Sequence, residues 1–492
     1  HHRLQCRMFF LTVLRSILVR YALPLSRVFG FLLALQFSVL LIACSRRADH
    51  VFHFANPASA QLLGHTEPAV IKALGTYYLY YRTDSDEIAV ASSSDGENWT
   101  DQGVVLSQTA RGSDLVSNPG AENGSASPDD WNRSPDTVWS AARAHTGSHS
   151  LEINVANSSA DWRADHFSVS ASQAYYLSGW IYGTATANEW FLTVRWFSDS
   201  DGTQFAQEDN IAIPTGSYDS WTQISDYLTS PSNAAAADMV FRSIDGSGDL
   251  FVDDVDLQTN PWDSAYVISP SVVYHEDLFY LFYEGNNGDH SEIGYATSAD
   301  PLGTFTKSES NPVLAPQGSG FESVTVGTPF IMRDNEKWYL YYHGYDGTSD
   351  RGGLAWSSDL ASWTRHSSNP ILWPGASGAW DDHQVSPHSV LLVNRAHYIF
   401  YEGTRSDLHW AIGVASIASA DVETSTPAKL AENPVLSRNP SGWDDDWVQL
   451  PGIFNPQNGD LWLYYCGHNA SENAFHLGRA VDSSGTLAGR SM

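Results

Sequence analysis

The stretch Phe279–Gly285 reads FYLFYEG, an aromatic run of strand type that ends on a carboxylate, Glu284. Related stretches recur as YYLYYR (Tyr77–Arg82), WYLYYHG (Trp338–Gly344), YIFYEG (Tyr398–Gly403) and LWLYYCG (Leu461–Gly467). Each is preceded by a proline-marked apolar segment: EPAVI from Glu67, SPSVV from Ser269, TPFIM from Thr328, SPHSVLL from Ser386 and LPGIF from Leu450. Each is followed by a small-residue strand, such as IAVASS from Ile88 or IGYATS from Ile293, and three copies close on NPVL or NPIL, at Asn311, Asn369 and Asn433. Repeats of four short strands punctuated by Gly, Pro and Asp-Gly turns are what a β-propeller requires, because radial repetition protects the strand edges. The expectation is an all-β fold with five blades.

The copies begin at residues 77, 279, 338, 398 and 461, so one gap of 202 stands against three of 59, 60 and 63. Removing one repeat of about 60 from the long gap leaves about 140 residues, enough for a second domain. The reading places a first propeller segment at 44–112, an insert at 113–260 and the rest of the propeller at 261–492. Segments of the insert such as HSLEINV, YYLSGWIYG and WFLTVRWFS alternate as strands do, which predicts a β-sandwich between blades 1 and 2. Blade 5 lacks a fourth strand of its own, and HVFHFANP (His50–Pro57) is expected to supply it and close the ring.

With 26 Lys and Arg against 56 Asp and Glu, the formal charge is −30. A phosphate backbone needs a basic face, so a nucleic-acid partner is excluded and an uncharged polar one favoured. The first 43 residues carry Arg15, Arg20 and Arg27, then the apolar run VFGFLLALQFSVLLIA, then Cys44. This is the layout of a signal peptide, and LIAC (Leu41–Cys44) resembles a lipobox, which implies lipidation of Cys44 and anchoring in a bacterial cell envelope. A plain signal anchor is the alternative. Only Cys466 is left as a thiol in the exported portion, so no disulfide framework is expected. The chain is read as a monomer.

In a blade, the end of the second strand meets the start of the first. The residues ending the aromatic strands therefore form a ring at one mouth: Arg82, Glu284, His343, Glu402 and Cys466. Onto that face the first strands bring Glu67 and His388, and the segments before them bring Trp262 and Asp263, Trp380 to His383 (Asp381 and Asp382 between), and Trp443 to Asp446. Clustered acids raise one another's pKa, so that one stays protonated while another is ionised. Candidate catalytic groups are Glu67, Glu284, Glu402 and Asp382. Candidate binding groups are Arg82, His343, His383, His388, Asp445, Trp380 and Trp443. The bland readings are that the repeated Trp-Asp is a blade-to-blade contact and that Glu284 and Glu402 serve structure. No cofactor is expected for catalysis.

The five-copy pattern, with NPVL and IGYATSADPLGTF at Ile293, resembles the propeller glycosidases of glycoside hydrolase family 43 and the related mannoside-phosphorylase family 130. That resemblance implies cleavage of a poly- or oligosaccharide by acid and base with inversion. It places a base, a pKa-setting acid and a proton donor on successive first strands. Only Glu67 matches by position; Ser269 and Thr328 stand where the other two acids would be, so Glu284, Glu402 or Asp382 must supply the proton. A non-catalytic glycan-binding lipoprotein and a glycoside phosphorylase are the alternatives. The insert, through LVSNPGAENG at Leu115, HTGSHSLEI at His145 and FVDDVDL at Phe251, resembles a jelly-roll carbohydrate-binding module. That implies a structural calcium at Glu122 with Asp253 or Asp254. Trp131, Trp139, Trp162 and Trp190 are its candidate sugar platforms.

Overall fold

The computed structural model describes residues 66–407 and 409–483, together with Phe52, Phe54 and Leu62–Leu63. Five four-stranded antiparallel sheets account for the repeats. Blade 1 consists of Thr66–Ala73, Thr76–Arg82, Ile88–Ser93 and Thr100–Leu106; blade 2 starts with Tyr266–His275 and Leu278–Asn286. Blade 3 contains Thr325–Asp334, Lys337–Tyr345 and Asp350–Ser357; blade 4 starts with Gln384–Val393 and Ala396–Thr404; blade 5 with Trp447–Phe454 and Leu461–Asn469. Each first strand touches the first strands of the two neighbouring blades, and that of blade 5 touches that of blade 1, so the ring is closed.

Aromatic second strands are what the blades press together. Tyr80, Phe279, Leu281 and Tyr283 share one core between blades 1 and 2, and Tyr77, Leu79, Tyr81, Trp462 and Tyr464 share another between blades 5 and 1. Each fully buried side chain of this size contributes roughly 1.5–3 kcal/mol. The last strand of blade 5 comes from the other end of the domain, as expected, but from different residues. Leu62 and Leu63 pair with Leu477 and His476. This pair lies several residues after His50–Pro57, most of which is outside the described residues.

Between blades 1 and 2 the chain forms a separate eight-stranded sheet. Two 24-residue strands, Ala174–Phe197 and Ala236–Thr259, run through it and change register near Ala185–Glu189. Leu177 and Ile181 before that point share one buried core with Leu192, Val194 and Trp196 after it, so the sheet doubles over on itself. The insert is tied to blade 2: Asn260 Nδ2 donates to the Asn287 carbonyl, and Gly288, at φ +98°, approaches the Tyr227 hydroxyl so closely that any side chain would collide with it. The signal segment and Cys44 lie outside the described residues. No helix among the described residues is long and apolar enough to cross a membrane.

Candidate active site

The answer to why aromatic strands end in polar residues is alternation: neighbouring residues of a strand face opposite ways. In each blade the penultimate position is a tyrosine and the next residue faces the mouth. The tyrosine hydroxyl donates to a carboxylate: Tyr283 to Asp263 at 3.0 Å, Tyr342 to Glu322 at 2.9 Å, Tyr401 to Asp381 at 3.0 Å, Tyr465 to Asp444 at 2.7 Å, and in blade 1 Tyr81 to Asp101 at 2.8 Å. In blades 2, 3 and 4 a cation completes the group: Lys307 at 2.6 Å, Arg365 at 2.8 Å and Lys429 at 2.5 Å. The NP motifs belong to the same unit. Asn311, Asn369 and Asn433 each donate through Nδ2 to that tyrosine's oxygen and to a carbonyl of the third strand. Buried charges survive only when paired and hydrogen-bonded, as these are.

The tryptophans belong to this frame as well. Trp262, Trp380 and Trp443 stack on Tyr283, Tyr401 and Tyr465 at 5.3, 5.6 and 5.6 Å between ring centres. Trp380 also lies against Gly403 and Gly413, with no room there for a Cβ. The expectation that Trp380 and Trp443 stack on sugar is therefore corrected: their faces are spent on blade packing.

The residues facing the mouth differ from blade to blade. Glu67, Ser269, Thr328 and Leu450 each sit just before a proline at a break in the strand ladder, with φ of 58°, 53°, 44° and 55°. Such backbone costs on the order of 1–3 kcal/mol for a residue other than glycine and needs outside support. For three of the four the support comes from a carboxylate of the preceding blade. Ser269 N donates to Glu67 Oε2 at 2.5 Å, Thr328 N to Glu284 Oε2 at 2.9 Å, and Leu450 N to Glu402 Oε2 at 2.9 Å. Gly327 leaves room for Glu284; a Cβ there would stand 2.1 Å from Oε2. In blade 4 the ladder breaks between Pro387 and Ser389, and His388 takes the extra place. Its Nε2 lies 3.2 Å from Glu402 Oε1.

Glu67, Glu284 and Glu402 open onto one mouth. Arg82 donates to Glu67 Oε1 at 3.1 Å and to Asp86 Oδ1 at 2.6 Å. Burial raises the Glu67 carboxyl, with Glu284 adding to the rise, while Arg82 and the Ser269 N–H oppose it. Burial also pushes up the Cys466 thiol, with Glu67 and Glu402 close enough to add to it. His343 Nδ1 and Thr328 Oγ1 are 2.8 Å apart. Below this ring the axial cavity, lined by Glu67, Ser269, Thr328, His388, Leu450 and four prolines, has a volume of about 20 Å³, room for little more than a water.

One carboxyl at this mouth was not anticipated. Asp350 opens the third strand of blade 3, and the charges that act on it are His343, Glu402, Glu284 and His388. Burial raises its pKa, and among the described residues its carboxyl receives no hydrogen bond. The matching positions are Ser291, Trp410 and Phe475, and in blade 1 Asp86, whose carboxylate is taken by Arg82. Acids at Asp86 and Asp350, against Ser, Trp and Phe in the other blades, were the sequence signal that could have found it.

Other candidates fall elsewhere. Asp382 accepts from Gly378 N at 2.6 Å and Ser406 N at 3.0 Å, which hold its carboxyl below the usual range. It clamps a loop, and a lowered carboxyl is a poor proton donor, so it is removed from the catalytic set. Asp445 accepts from Ala470 N at 2.9 Å, likewise within a loop. His383 stands at the junction of blades 3 and 4, its carbonyl accepting from Ser349 Oγ at 2.6 Å.

In the insert, Glu122, Asp253 and Asp254 do converge around Gly120. Their oxygens are already engaged. Glu122 accepts from Ser148 N and His149 N, Asp253 from His145 N and Thr146 N, and Asp254 from Thr146 Oγ1. Among the described residues no group of three or more His, Cys, Asp or Glu is placed to hold a metal ion. As arranged, these residues do not fit calcium, because N–H and O–H donors already take oxygens of all three carboxylates. Trp131, Trp162 and Trp190 are core residues, 4, 0 and 1% exposed, and Trp139 stacks on His149. The half-buried aromatics lie instead around His145: it stacks on Trp180 at 4.0 Å and meets Trp221 edge-on at 5.7 Å, with Tyr182 beside Trp221.

No family model matches the chain. A β-1,2-mannobiose phosphorylase of Thermoanaerobacter sp. (strain X514) is 29% identical over 130 residues, which is 22% of this chain and 41% of that protein's length. Among solved structures, a thermostable family-43 glycoside hydrolase superposes with a TM-score of 0.45 at 14% identity, covering 88% of this chain and 94% of that one. An endo-1,4-β-xylanase from Bacteroides thetaiotaomicron VPI-5482 gives 0.44 at 15% identity, with 88 and 99% covered. A glycosyl hydrolase from Bacteroides ovatus gives 0.42 at 12% identity, with 88 and 91% covered. Scores this low carry no argument about activity, which has to be made from the mouth of the propeller.

Proposed function

We propose that the protein cleaves a glycosidic bond of a poly- or oligosaccharide by acid and base catalysis at the propeller mouth. The observation that carries this reading is the convergence of four carboxyl groups from different blades, two of them raised by burial, on a site otherwise lined by Arg82, His343 and His388. A glycosidase needs one carboxyl that keeps its proton and one that takes a proton from water.

Asp350 is the proposed proton donor. It receives no hydrogen bond that would favour its ionised form, and burial holds its proton on. Glu67 is the proposed base toward water: burial strengthens it, and the Arg82 guanidinium at 3.1 Å limits the rise so that ionisation stays accessible. The channel below is too narrow for a sugar, so the substrate lies across the mouth. Glu284 and Glu402, like Glu67, each give one oxygen to the N–H of the next blade; in this scheme they are positioning residues, and Glu67 is set apart by its Arg82 partner. We assign the insert an accessory glycan-binding role through Trp180, Tyr182 and Trp221, and retain attachment to the cell envelope through Cys44 within the proposal.

The partial likeness to a mannobiose phosphorylase favours phosphorolysis as the second reading. It would need a basic pocket for phosphate, and at this mouth Arg82 is already shared between Glu67 and Asp86. The test is release of reducing ends from a panel of plant and algal polysaccharides by protein beginning at Ser45, with and without inorganic phosphate. Hydrolysis independent of phosphate is expected; cleavage only with phosphate makes it a phosphorylase, and binding without any cleavage removes the enzymatic reading.

A further inference from the structure

Asp350 and Arg351 are consecutive in a strand, so their side chains leave on opposite sides. Asp350 goes to the mouth. Arg351 enters a groove of about 730 Å³ on the outer side of blade 3, bounded by Gln317, Glu322, Asp346, Arg365 and Trp373. That volume lies within the range of small-molecule sites. Trp373 is 56% exposed and is the one tryptophan among the exposed large apolar side chains of the described residues. Unlike Trp262, Trp380 and Trp443 it stacks on no tyrosine; the Arg351 guanidinium lies 5.2 Å from its ring centre.

The charges of the groove are matched. Arg351 donates to Asp346 at 2.6 Å and Arg365 pairs with Glu322 at 2.8 Å, which leaves no net charge from these four groups. An open aromatic face beside neutralised donors and acceptors suits a ligand with one apolar face and an edge of hydroxyl groups. An anionic ligand would meet two arginines already committed to carboxylates.

We propose that this groove is a binding subsite for an uncharged sugar unit, with Trp373 stacking on the ring and the Arg351–Asp346 pair hydrogen-bonding its hydroxyls. The groove lies across the strand from Asp350, so it would hold a unit of the glycan away from the cleaved bond, and only that last step rests on the glycosidase reading.

The test is electrophoresis of the whole protein through gels holding xylan, arabinan, β-mannan or laminarin, all uncharged, or polygalacturonate. The Trp373→Ala and Trp373→Phe variants run alongside. Trp373 is exposed, so both variants are expected to keep the fold, and circular dichroism checks it. Retardation of the wild type by at least one uncharged glycan is expected, weakened fivefold or more in Trp373→Ala and largely kept in Trp373→Phe. Equal retardation of wild type and Trp373→Ala, retardation by polygalacturonate alone, or none by any uncharged glycan overturns the proposal. Retardation that depends on Trp373 in a protein that cleaves nothing would sink the glycosidase reading and leave the groove; cleavage with retardation indifferent to Trp373 does the reverse.

Discussion

Two rings of buried carboxylates circle the same face of the propeller, and they are built on opposite plans. The outer ring, Asp263, Glu322, Asp381 and Asp444, recurs blade by blade, each member taking a tyrosine hydroxyl, with Lys307, Arg365 and Lys429 balancing three of them. The inner set, Glu67, Glu284, Asp350 and Glu402, occupies three different structural positions, and among the described residues an arginine pairs only with Glu67, through Arg82, while the His388 imidazole lies beside Glu402. A group repeated in every blade answers a need every blade has, which is to join its strands. A group that breaks the repeat answers a need of the whole ring, and the central mouth is the one place the blades share.

The sharpest way to break this contrast is to neutralise one carboxyl in each ring. Glu67→Gln is expected to lower the rate of glycan cleavage by roughly a thousandfold, about 4 kcal/mol of transition-state stabilisation, with a loss of only about 1 kcal/mol in stability from the weakened bond of Ser269 N. Steady-state kinetics and thermal unfolding on the same preparation check both halves. Lys429→Met is expected to do the opposite. Stripping the cation from Asp381, 3% exposed, costs about 3 kcal/mol of stability, read by urea unfolding, while the folded fraction keeps its activity within a few-fold.

Smaller effects sharpen the comparison. Glu402→Gln keeps the shape but weakens the bond from Leu450 N, so a loss of about 1 kcal/mol in stability is expected, with activity reduced less than in Glu67→Gln. The pH profile carries a sign. Glu67 must be ionised to act, and burial raises it above the ordinary 4.5, so activity on the acid side should fall away above pH 4.5 rather than below it. Asp350 must be protonated, so activity is lost again as pH rises through its raised value. Away from both rings, His290 is raised to about 9 by Glu292 and Asp289. Its folded pKa exceeds the unfolded one, so its small contribution to stability is full below about pH 6.5 and lost as pH rises through 9. Unfolding of His290→Asn at pH 6 and pH 10 should show a difference from wild type only at the lower pH.

The fold was legible because FYLFYEG and its four relatives carry the packing of every blade in eight or fewer residues, and because a gap of 202 among gaps near 60 marks an insertion. Glu284 and Glu402 were legible as breaks in an aromatic pattern. Asp350 was not, because it follows a turn at a strand start, where polar residues are ordinary and the pattern of apolar positions says nothing. Trp380 and Trp443 were misread for the converse reason. Their recurrence before three of the five first strands was itself the mark of a structural role, but which face of a tryptophan is covered depends on Tyr401 and Tyr465, and those contacts appear only once the strands pair. Trp131, Trp162 and Trp190 misled in the same way, since alternation identifies two faces of a strand without saying which one the doubled sheet encloses.

The account stands on Asp350 as the group that protonates the leaving oxygen, and a leaving-group comparison reaches that claim directly. Once a cleaved glycan is known, Asp350→Asn is assayed on it and on the dinitrophenyl glycoside of the same sugar, whose leaving group needs no proton. The account predicts a loss of roughly a thousandfold on the glycan and a loss of less than tenfold on the activated substrate, with the basic limb of the pH profile gone. Equal losses on both substrates, or none on the glycan, would contradict it.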